Sequence, residues 1–519
     1  MKPEIKNNDD ELIAIAYNSV KEVKRFELND SQILCLISLL RKEQKKGKIA
    51  QVLTGEGKTI IINCLALILV LKGHIVDIVT SNPFLAKRDK EESKELFTKF
   101  DISVAHNIED EGLNFFGNTN VYSCDVVFGT TYEYQGDILR DEYKLQKIRN
   151  NRKFDVVIVD EIDCMLVDQY NHSTLLSSNI PFMDNYSVIL QLLWACYKRL
   201  NLDDEQILND NELQKKLITF LKKNAKSIIN KNFKTYYLVP MCDNARDFAF
   251  AQIDNWILNI IISLKSKKNV EYIISEEGEI NPVDNKITGV ICKNTVYNGG
   301  LYQYLQMKND LPVTPISITT NYLSNFGFFR RYISNTNNIY GLTGTIGDSQ
   351  TMKILKILYE LDFDYIPPEK IRIIKELESK ICFCHSLWLE NIVNIVKRET
   401  NENRAILIIS ESIDNAEEIY EEIQKNVSGI YLVKIIGKDS EENLIKRELP
   451  PKSVIVSTNI SGRGTDIKLE KNVISNGGLH VIITFIPDNI RVEEQNYGRA
   501  GRKGQPGTWQ LVVNYQKYI

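Results

Sequence analysis

Residues 48–71 read KIAQVLTGEGKTIIINCLALILVL, and this stretch determines the fold class. An apolar run precedes the glycine-rich segment GEGKT, and a longer apolar run follows it. Gly55 and Gly57 would let the backbone curl so that its N–H groups face a phosphate at the positive end of the following helix. Lys58 would reach the β- and γ-phosphates, and the Thr59 hydroxyl would ligate Mg²⁺. Strand, loop and helix in this order predict a nucleotide site. Its loop residues are Thr54, Gly55, Glu56, Gly57, Lys58 and Thr59.

Short apolar runs on both sides of this loop predict buried parallel strands. The runs KIAQVLT, HIVDIVT, VYSCDVVFGT and FDVVIVD are each followed by a stretch with helical periodicity. Strands that alternate with helices favour an open α/β sheet with helices on both faces. After the Pro367–Pro368 pair a second series begins, with RAILIIS, YLVKII, SVIVST, LHVIITF and WQLVVNY. Two α/β lobes are therefore predicted.

Between the two series, residues 170–290 do not continue the alternation of strands and helices and are predicted to be mainly helical. Six of their residues form one apolar face at helical spacing: Ile253, Trp256, Ile257, Ile260, Ile261 and Leu264. The segment closes with VEYIISEEGEINPVDNKITG, which is typical of a hairpin. We interpret it as an insertion in the first lobe.

The strand DVVIVDEID ends in a cluster of acidic residues, Asp160, Glu161 and Asp163. A parallel sheet presents carboxylates at the carboxyl ends of its strands, beside the phosphate loop. Asp160 would hold Mg²⁺, and Glu161 would orient and deprotonate the attacking water. The apolar character of the strand and the clustering of the acids argue against a solvated strand end.

The composition is that of a globular protein of several domains. The chain has 519 residues, of which 43% are hydrophobic and 25% charged, with a net charge of −4. This acidic balance disfavours nucleic-acid binding through bulk charge. Nine cysteines at irregular spacing indicate reduced thiols rather than a disulfide framework. The N-terminus has no apolar signal region, and the apolar run at residues 60–71 is too short to span a bilayer.

A series of motifs in this order resembles the SecA family of preprotein-translocase ATPases, motors of the DEAD type in helicase superfamily 2. They are RFELNDSQ, VLTGEGKT, VTSNPFLAKRD, FGTTYEYQGDILRD, DEID, GLTGT, VSTNISGRGTDIKL with GGLHVI, and QNYGRAGRKGQPG. The resemblance covers about residues 25–165 and 290–515. It implies two RecA-like lobes with ATP in the cleft between them. Expected domains are an N-terminal helix (1–25), the first lobe (26–169 and 291–366), the insertion (170–290) and the second lobe (367–519).

The resemblance also implies roles for residues that the phosphate loop and the acidic cluster leave unassigned. Gln32 would read adenine, Gly464, Asp466 and Gln495 would contact the nucleotide, and the arginine-finger motif supplies Arg499 and Arg502. Such an arginine neutralises charge on the transferred phosphoryl group. Because it arrives from the opposite lobe, hydrolysis becomes coupled to lobe closure.

The resemblance implies a Mg²⁺-dependent ATPase in the cytoplasm, peripheral to a membrane, that acts on an unfolded polypeptide or a protein partner.

Two features depart from the family. The helical part of the insertion does not match its preprotein cross-linking domain, and no counterpart of its scaffold helix, wing, two-helix finger or zinc-binding tail is found. Cys382, Cys384 and His385 form one short cluster, so no zinc is expected. Two alternatives stay open: a nucleic-acid helicase or translocase, and an ATP-gated module that binds a partner without moving it.

Overall fold

The computed structural model describes residues 8–41, 46–108, 121–170, 172–178, 184–232, 243–275, 278–283, 297–316, 318–335, 337–435, 448–458, 467–487 and 489–518. The chain divides into two compact units. The first comprises Met1–Thr174 and Tyr322–Ile519, and the second comprises Leu175–Asn321. The first unit contains both of the predicted α/β lobes.

The first lobe is built on a sheet of seven parallel strands. The strands are β1 Gly47–Gln51, β2 Val76–Thr80, β3 Val104–His106, β4 Val126–Thr130, β5 Val156–Asp160, β10 Ile339–Thr343 and β11 Leu361–Tyr365. Their order across the sheet is β11-β1-β10-β5-β2-β4-β3. The helices are α1 Asp9–Lys24, α2 Asp30–Leu40, α3 Lys58–Leu71, α4 Pro83–Thr98, α5 Thr131–Lys144, α11 Asn325–Asn335 and α12 Ser349–Tyr359.

Helix α3 lies in the core of this lobe. Ten consecutive residues of this helix, from Ile61 to Val70, are buried. Its all-round apolar sequence therefore reflects burial on every side, not a membrane span. The central strands β2, β4 and β10 are buried along their whole length, as expected for parallel strands covered on both faces.

The second lobe carries the other parallel sheet. Its strands are β12 Ile373–Glu376, β13 Lys380–Cys382, β14 Ala405–Ser410, β15 Tyr431–Ile435, β16 Ser453–Thr458, β17 Leu479–Ile483 and β18 Pro506–Asn514. Their order is β12-β18-β17-β14-β16-β15, and β13 also pairs with β18. The helices are α13 His385–Asn401, α14 Ile413–Asn426, α15 Lys471–Ser475 and α16 Ile490–Tyr497. A buried apolar cluster covers each face of this sheet. The α/β class with two parallel-sheet lobes is confirmed.

The second unit is mainly helical. Its helices are α6 Asp184–Lys198, α7 Asp204–Asn209, α8 Asn211–Asn232, α9 Asp243–Lys265 and α10 Leu301–Lys308. The apolar face predicted on α9 is buried, and Trp256 is 1% exposed. The predicted hairpin is present as β7 Tyr272–Ile274 and β8 Ile280–Pro282, which pair antiparallel. Strands β6 Ser173–Ser178 and β9 Ile318–Ser324 pair where the chain passes between the units.

The domain boundaries expected from the sequence stay a prediction. Helix α10 packs with the helices of the second unit, because Tyr304 on α10 is buried in the same apolar cluster as Trp256 on α9. The compact unit accordingly extends to Asn321, beyond residue 290, where the apolar and polar pattern of the sequence placed the end of the insertion.

Candidate nucleotide-binding site

Sheet order brings three of the sequence motifs side by side in the first lobe. Strands β1, β10 and β5 are neighbours, and Gln51 pairs with Thr343 while Leu342 pairs with Asp160. The phosphate loop follows β1, the GLTGT motif includes the end of β10, and the DEID motif begins at the end of β5. All three therefore meet at the carboxyl edge of one sheet, where α/β proteins bind ligands.

The phosphate loop has the backbone that its glycines predict. Gly55 has φ +95° and Gly57 has φ +85°, both in the left-handed region that favours glycine. Gly57 precedes α3, and among the described residues no side chain caps this helix. The backbone N–H groups of its first turn, at the positive end of the helix dipole, are thus available to bind an anion.

Gln32 lies directly against this loop. Its Nε2 donates a hydrogen bond to the backbone oxygen of Glu56 (3.0 Å), and its Oε1 accepts one from the Asn29 backbone N–H (3.1 Å). Asn29 and Gln32 form a reciprocal capping box at the start of α2. The cap therefore fixes the amide that the family resemblance predicts to bind adenine.

Asp160, the last residue of β5, and Glu161, which follows it, each have an acceptor atom without a hydrogen-bond partner among the described residues. These atoms are Oδ1 of Asp160 and Oε2 of Glu161, and both are buried. Burial raises the pKa of Asp160 to about 7; the charge of Lys58 opposes this rise, and those of Glu161 and Asp89 add to it. Glu161 has a left-handed backbone (φ +55°), so the chain turns sharply between the two carboxylates.

These orphaned acceptors fit a hard cation. Carboxylate oxygens are the protein ligands that Mg²⁺ prefers, and a cation would lower the cost of burying the Asp160 charge. Asp160 and the Thr59 hydroxyl are the residues that would hold it. Lys58 is half-buried in the first turn of α3, beside the GLTGT motif: a Cβ placed on Gly344 would lie 3.6 Å from its Nζ and 2.8 Å from Oγ1 of Thr54.

The last acidic residue of the DEID motif joins the two lobes. Asp163 accepts hydrogen bonds from the hydroxyls of Thr343 (2.6 Å) and Thr345 (3.2 Å). Arg491, on α16 of the second lobe, places Nη1 3.7 Å from Oδ2 of Asp163 and donates through Nη2 to Asp168. Arg491 is only 5% exposed. The buried guanidinium of Arg491 thus connects the second lobe to the DEID motif, whose Asp163 is also hydrogen-bonded to the GLTGT motif.

The arginine-finger motif of the second lobe also contacts the phosphate loop. A Cβ placed on Gly55 would lie 3.0 Å from Cδ of Arg502, so the stem of this arginine covers the loop. Arg502 donates through Nε to the Gly498 backbone oxygen (3.4 Å). Arg499 is 6% exposed, and Gln495 is half-buried on α16. The predicted contacts Gly464 and Asp466 lie outside the described residues.

A cavity of about 490 Å³ opens beside the phosphate loop. Its walls come from both lobes and from the segment that connects them. They include Lys24, Phe26, Asn29, Gln32, Glu56, Gly57, Thr59, Asn63, Glu92, Glu369, Lys370 and Lys503. A cavity of this size and mixed lining suits a small ligand whose phosphates lie on the loop.

Sequence reasoning missed two residues of this candidate site. Arg491 and Asp168 carry no motif of their own, and their contact spans 323 positions in the chain. The only sequence signal was proximity: Arg491 is eight residues before Arg499, and Asp168 is five residues after Asp163. Asp163 was recognised only as a member of the acidic cluster.

The cysteines of the CFCH segment have separate surroundings. Cys382 is buried in the core of the second lobe, and Cys384 is exposed at the start of α13. His385 pairs with Glu418. Within the described ranges, no three His, Cys, Asp or Glu side chains are grouped to hold a metal ion. None of the described helices combines the length and apolarity that a membrane span needs.

Comparison with known proteins places these features in one family. The family profile described as SecA DEAD-like domain matches residues 2–352, and the SecA P-loop domain profile matches residues 376–474. Protein translocase subunit SecA of Clostridium tetani (strain Massachusetts / E88) is 28% identical over 476 residues, covering 91% of this chain and 54% of the relative. Protein translocase subunit SecA of Sulfurovum sp. (strain NBC37-1) is 27% identical over 543 residues, covering 97% and 59%.

The chain thus spans little more than half the length of these curated relatives. Among solved structures, S. cerevisiae Dbp5 bound to RNA and ADP BeF3 aligns with 99% of this chain and 91% of that chain, at 13% identity and a TM-score of 0.49. The SecA DEAD-like profile alone matches more than half of the chain. This chain therefore belongs to the SecA family.

Proposed function

We propose that this chain binds ATP in the cleft between its two lobes, hydrolyses it with Mg²⁺, and couples hydrolysis to the movement or remodelling of a polypeptide. The main support is that the second lobe meets both halves of the first lobe's site. Arg502 covers Gly55 of the phosphate loop, and Arg491 binds Asp163 of the DEID motif. A site divided between two lobes changes when they move, as a motor requires.

The described residues suggest how the reaction proceeds. Gln32 holds the base, and the N–H groups at the start of α3, with Lys58, bind the phosphates. Mg²⁺ bound at Asp160 and Thr59 would neutralise charge on the β- and γ-phosphates. Glu161 orients the attacking water and accepts its proton. Arg502 or Arg499 stabilises charge on the transferred phosphoryl group.

Geometry also supports coupling between hydrolysis and lobe position. Asp163 is held by the Thr343 and Thr345 hydroxyls and also contacts Arg491. A shift of the DEID strand end during turnover would reach the second lobe through this buried pair. The proposal that the substrate is a protein is supported by the relatives, which are named Protein translocase subunit SecA.

The proposed chemistry is tested by steady-state ATPase measurements on two matched variants. Glu161→Gln removes the base without changing its size, and Glu95→Gln makes the same change at an exposed position on α4. We expect Glu161→Gln to bind ATP and to hydrolyse it at least about a hundredfold more slowly. Normal turnover in this variant would refute the assigned base.

The substrate is tested by stimulation of the ATPase of the wild-type chain. Permanently unfolded polypeptide, single-stranded RNA and double-stranded DNA are added separately at matched concentrations. Stimulation by the polypeptide alone supports the proposal, whereas stimulation by RNA or DNA alone would replace it with a nucleic-acid motor. ATP-dependent capture of the polypeptide without stimulation would indicate a gated binding module.

A further inference from the structure

The segment that connects the two lobes is bonded to the nucleotide site. Pro367 accepts a hydrogen bond from the Ser31 hydroxyl (2.7 Å) through its backbone oxygen. Two residues later, the carboxylate of Glu369 accepts one from Nδ2 of Asn29 (2.8 Å) through Oε2. The backbone N–H of Glu369 also donates to Oε2 of Glu56 (3.3 Å). The connector is therefore held against the cavity wall.

These two partners of Glu369 belong to different halves of the cavity. Asn29 caps the helix that carries Gln32, which marks the base half. Glu56 is part of the phosphate loop, which marks the phosphate half. Glu369 bonds to Asn29 through its carboxylate and to Glu56 through its backbone N–H, so this residue lies between the two halves. In a bound nucleotide, the group between base and phosphates is the ribose.

The chemistry of Glu369 suits this position. A carboxylate only accepts hydrogen bonds, and the ribose 2′- and 3′-hydroxyls are donors. Oε2 is oriented by Asn29, and in the described part of the chain Oε1 has no hydrogen-bond partner. Acidic side chains serve the same purpose in dinucleotide-binding folds, where they bind the ribose 2′-hydroxyl. Lys370 and Lys503 line the same cavity and offset the negative charge near the phosphates.

We propose that Glu369 is a specificity-determining residue that binds the ribose hydroxyls of the nucleotide and so selects ribonucleotides over deoxyribonucleotides. This inference rests on the proposed function, because it requires that the cavity hold a nucleotide. It adds that the connector between the lobes itself contacts the ligand. Nucleotide binding would then act directly on the connector, the segment about which the lobes move.

The test is isothermal titration of ADP, 2′-deoxy-ADP and 3′-deoxy-ADP into the wild-type chain and three variants. Glu369→Ala removes the carboxylate, and Glu369→Gln keeps one acceptor and the side-chain size. Glu95→Gln is the matched control, because Glu95 is exposed on α4, away from the described lining of this cavity. Unlabelled nucleotides are needed, since common fluorescent labels are attached to the ribose.

We expect the wild-type chain and Glu95→Gln to prefer ADP over at least one deoxy form by about tenfold, and Glu369→Ala to reduce this preference to less than about twofold. Glu369→Gln should fall between them. An unchanged preference in Glu369→Ala would overturn the inference, as would equal weakening of all three ligands. If the wild-type chain binds no ADP at all, the proposed function itself fails, which is a distinguishable result.

Discussion

Nη1 of Arg491 lies 3.7 Å from Oδ2 of Asp163, and the two residues come from different lobes. The side chains of both are less than 10% exposed. The same carboxylate accepts hydrogen bonds from Thr343 and Thr345. One buried carboxylate therefore connects the DEID motif, the GLTGT motif and the second lobe.

Replacing Arg491 by alanine should reduce both stability and turnover. The change leaves buried Asp163 without its cation, and the loss of one partner of a buried ion pair costs about 3 kcal/mol. It also loosens the second lobe, so the finger arginines approach the phosphate less often and kcat falls. Urea unfolding and steady-state ATPase assays measure the two effects.

Arg331→Ala is the control for this prediction, because the ion pair of Arg331 with Glu142 is partly exposed. Its effect on stability should stay below about 1 kcal/mol. Wild-type stability and turnover in Arg491→Ala would show that the pair between the lobes has no energetic role.

Alanine at Gly55 should abolish efficient turnover. The residue has φ +95°, which an alanine adopts only with strain, and the new Cβ would lie 3.0 Å from Cδ of Arg502. Gly429→Ala is the matched control, because it has φ +72° and no atom within 4 Å of the added Cβ. Both variants should lose about 1 kcal/mol of stability, but only Gly55→Ala should lose ATPase activity. Equal activity in the two variants would count against the contact.

Arg502→Ala should reduce kcat far more than it changes nucleotide affinity. An arginine finger acts on charge that develops during phosphoryl transfer, and its removal from comparable sites lowers kcat by about a thousandfold or more. Lys397→Ala is the comparison, since Lys397 is an exposed cation on α13 of the same lobe. Single-turnover hydrolysis and ADP titration separate the two quantities. A loss of affinity as large as the loss of kcat would assign Arg502 to ground-state binding instead.

His480 should make the protein less stable in mild acid. Burial, with the charges of Arg404 and Arg398, lowers the pKa of His480 from 6.5 to about 3. Between these pH values the unfolded chain binds a proton that the folded chain does not, so stability decreases as pH falls below 6.5. From pH 6.5 to pH 5 this effect amounts to about 2 kcal/mol.

The measurement is urea unfolding of wild type and His480→Gln at pH 5 and pH 7. The variant should lose about 2 kcal/mol less than wild type between these pH values. Other titrating groups contribute equally to both proteins, so the comparison isolates His480. An identical pH dependence would mean that the pKa of His480 is the same in the folded and the unfolded chain.

Much of the fold follows from local patterns in the sequence. Strands β1, β2, β4 and β5 were predicted from apolar runs, because both faces of a parallel sheet are buried and their sequences are continuously apolar. Gly55 and Gly57 have the left-handed backbone that the GEGKT motif predicts. Helix α9 followed from the spacing of its apolar residues.

Contacts between distant segments could not be predicted in this way. Arg491 and Asp168 come into contact only when both lobes have folded and packed. Neither the periodicity nor the composition of the local sequence indicates that contact. The bonds of Glu369 to Asn29 and Glu56 depend likewise on the path of the connector. Short exposed strands such as β12 also lack the apolar run that identified the others, because most of its residues are exposed.

Glu161 occupies a backbone conformation that a glycine would adopt at lower cost, and its carboxylate adds to the rise in the pKa of buried Asp160. Both the left-handed backbone and the repulsion between the carboxylates oppose folding. Glu161→Gly should therefore raise the midpoint of thermal unfolding while it removes hydrolysis. Selection for stability alone would not retain glutamate at this position, so under the proposed role of Glu161 as the base the residue is a compromise between folding and chemistry.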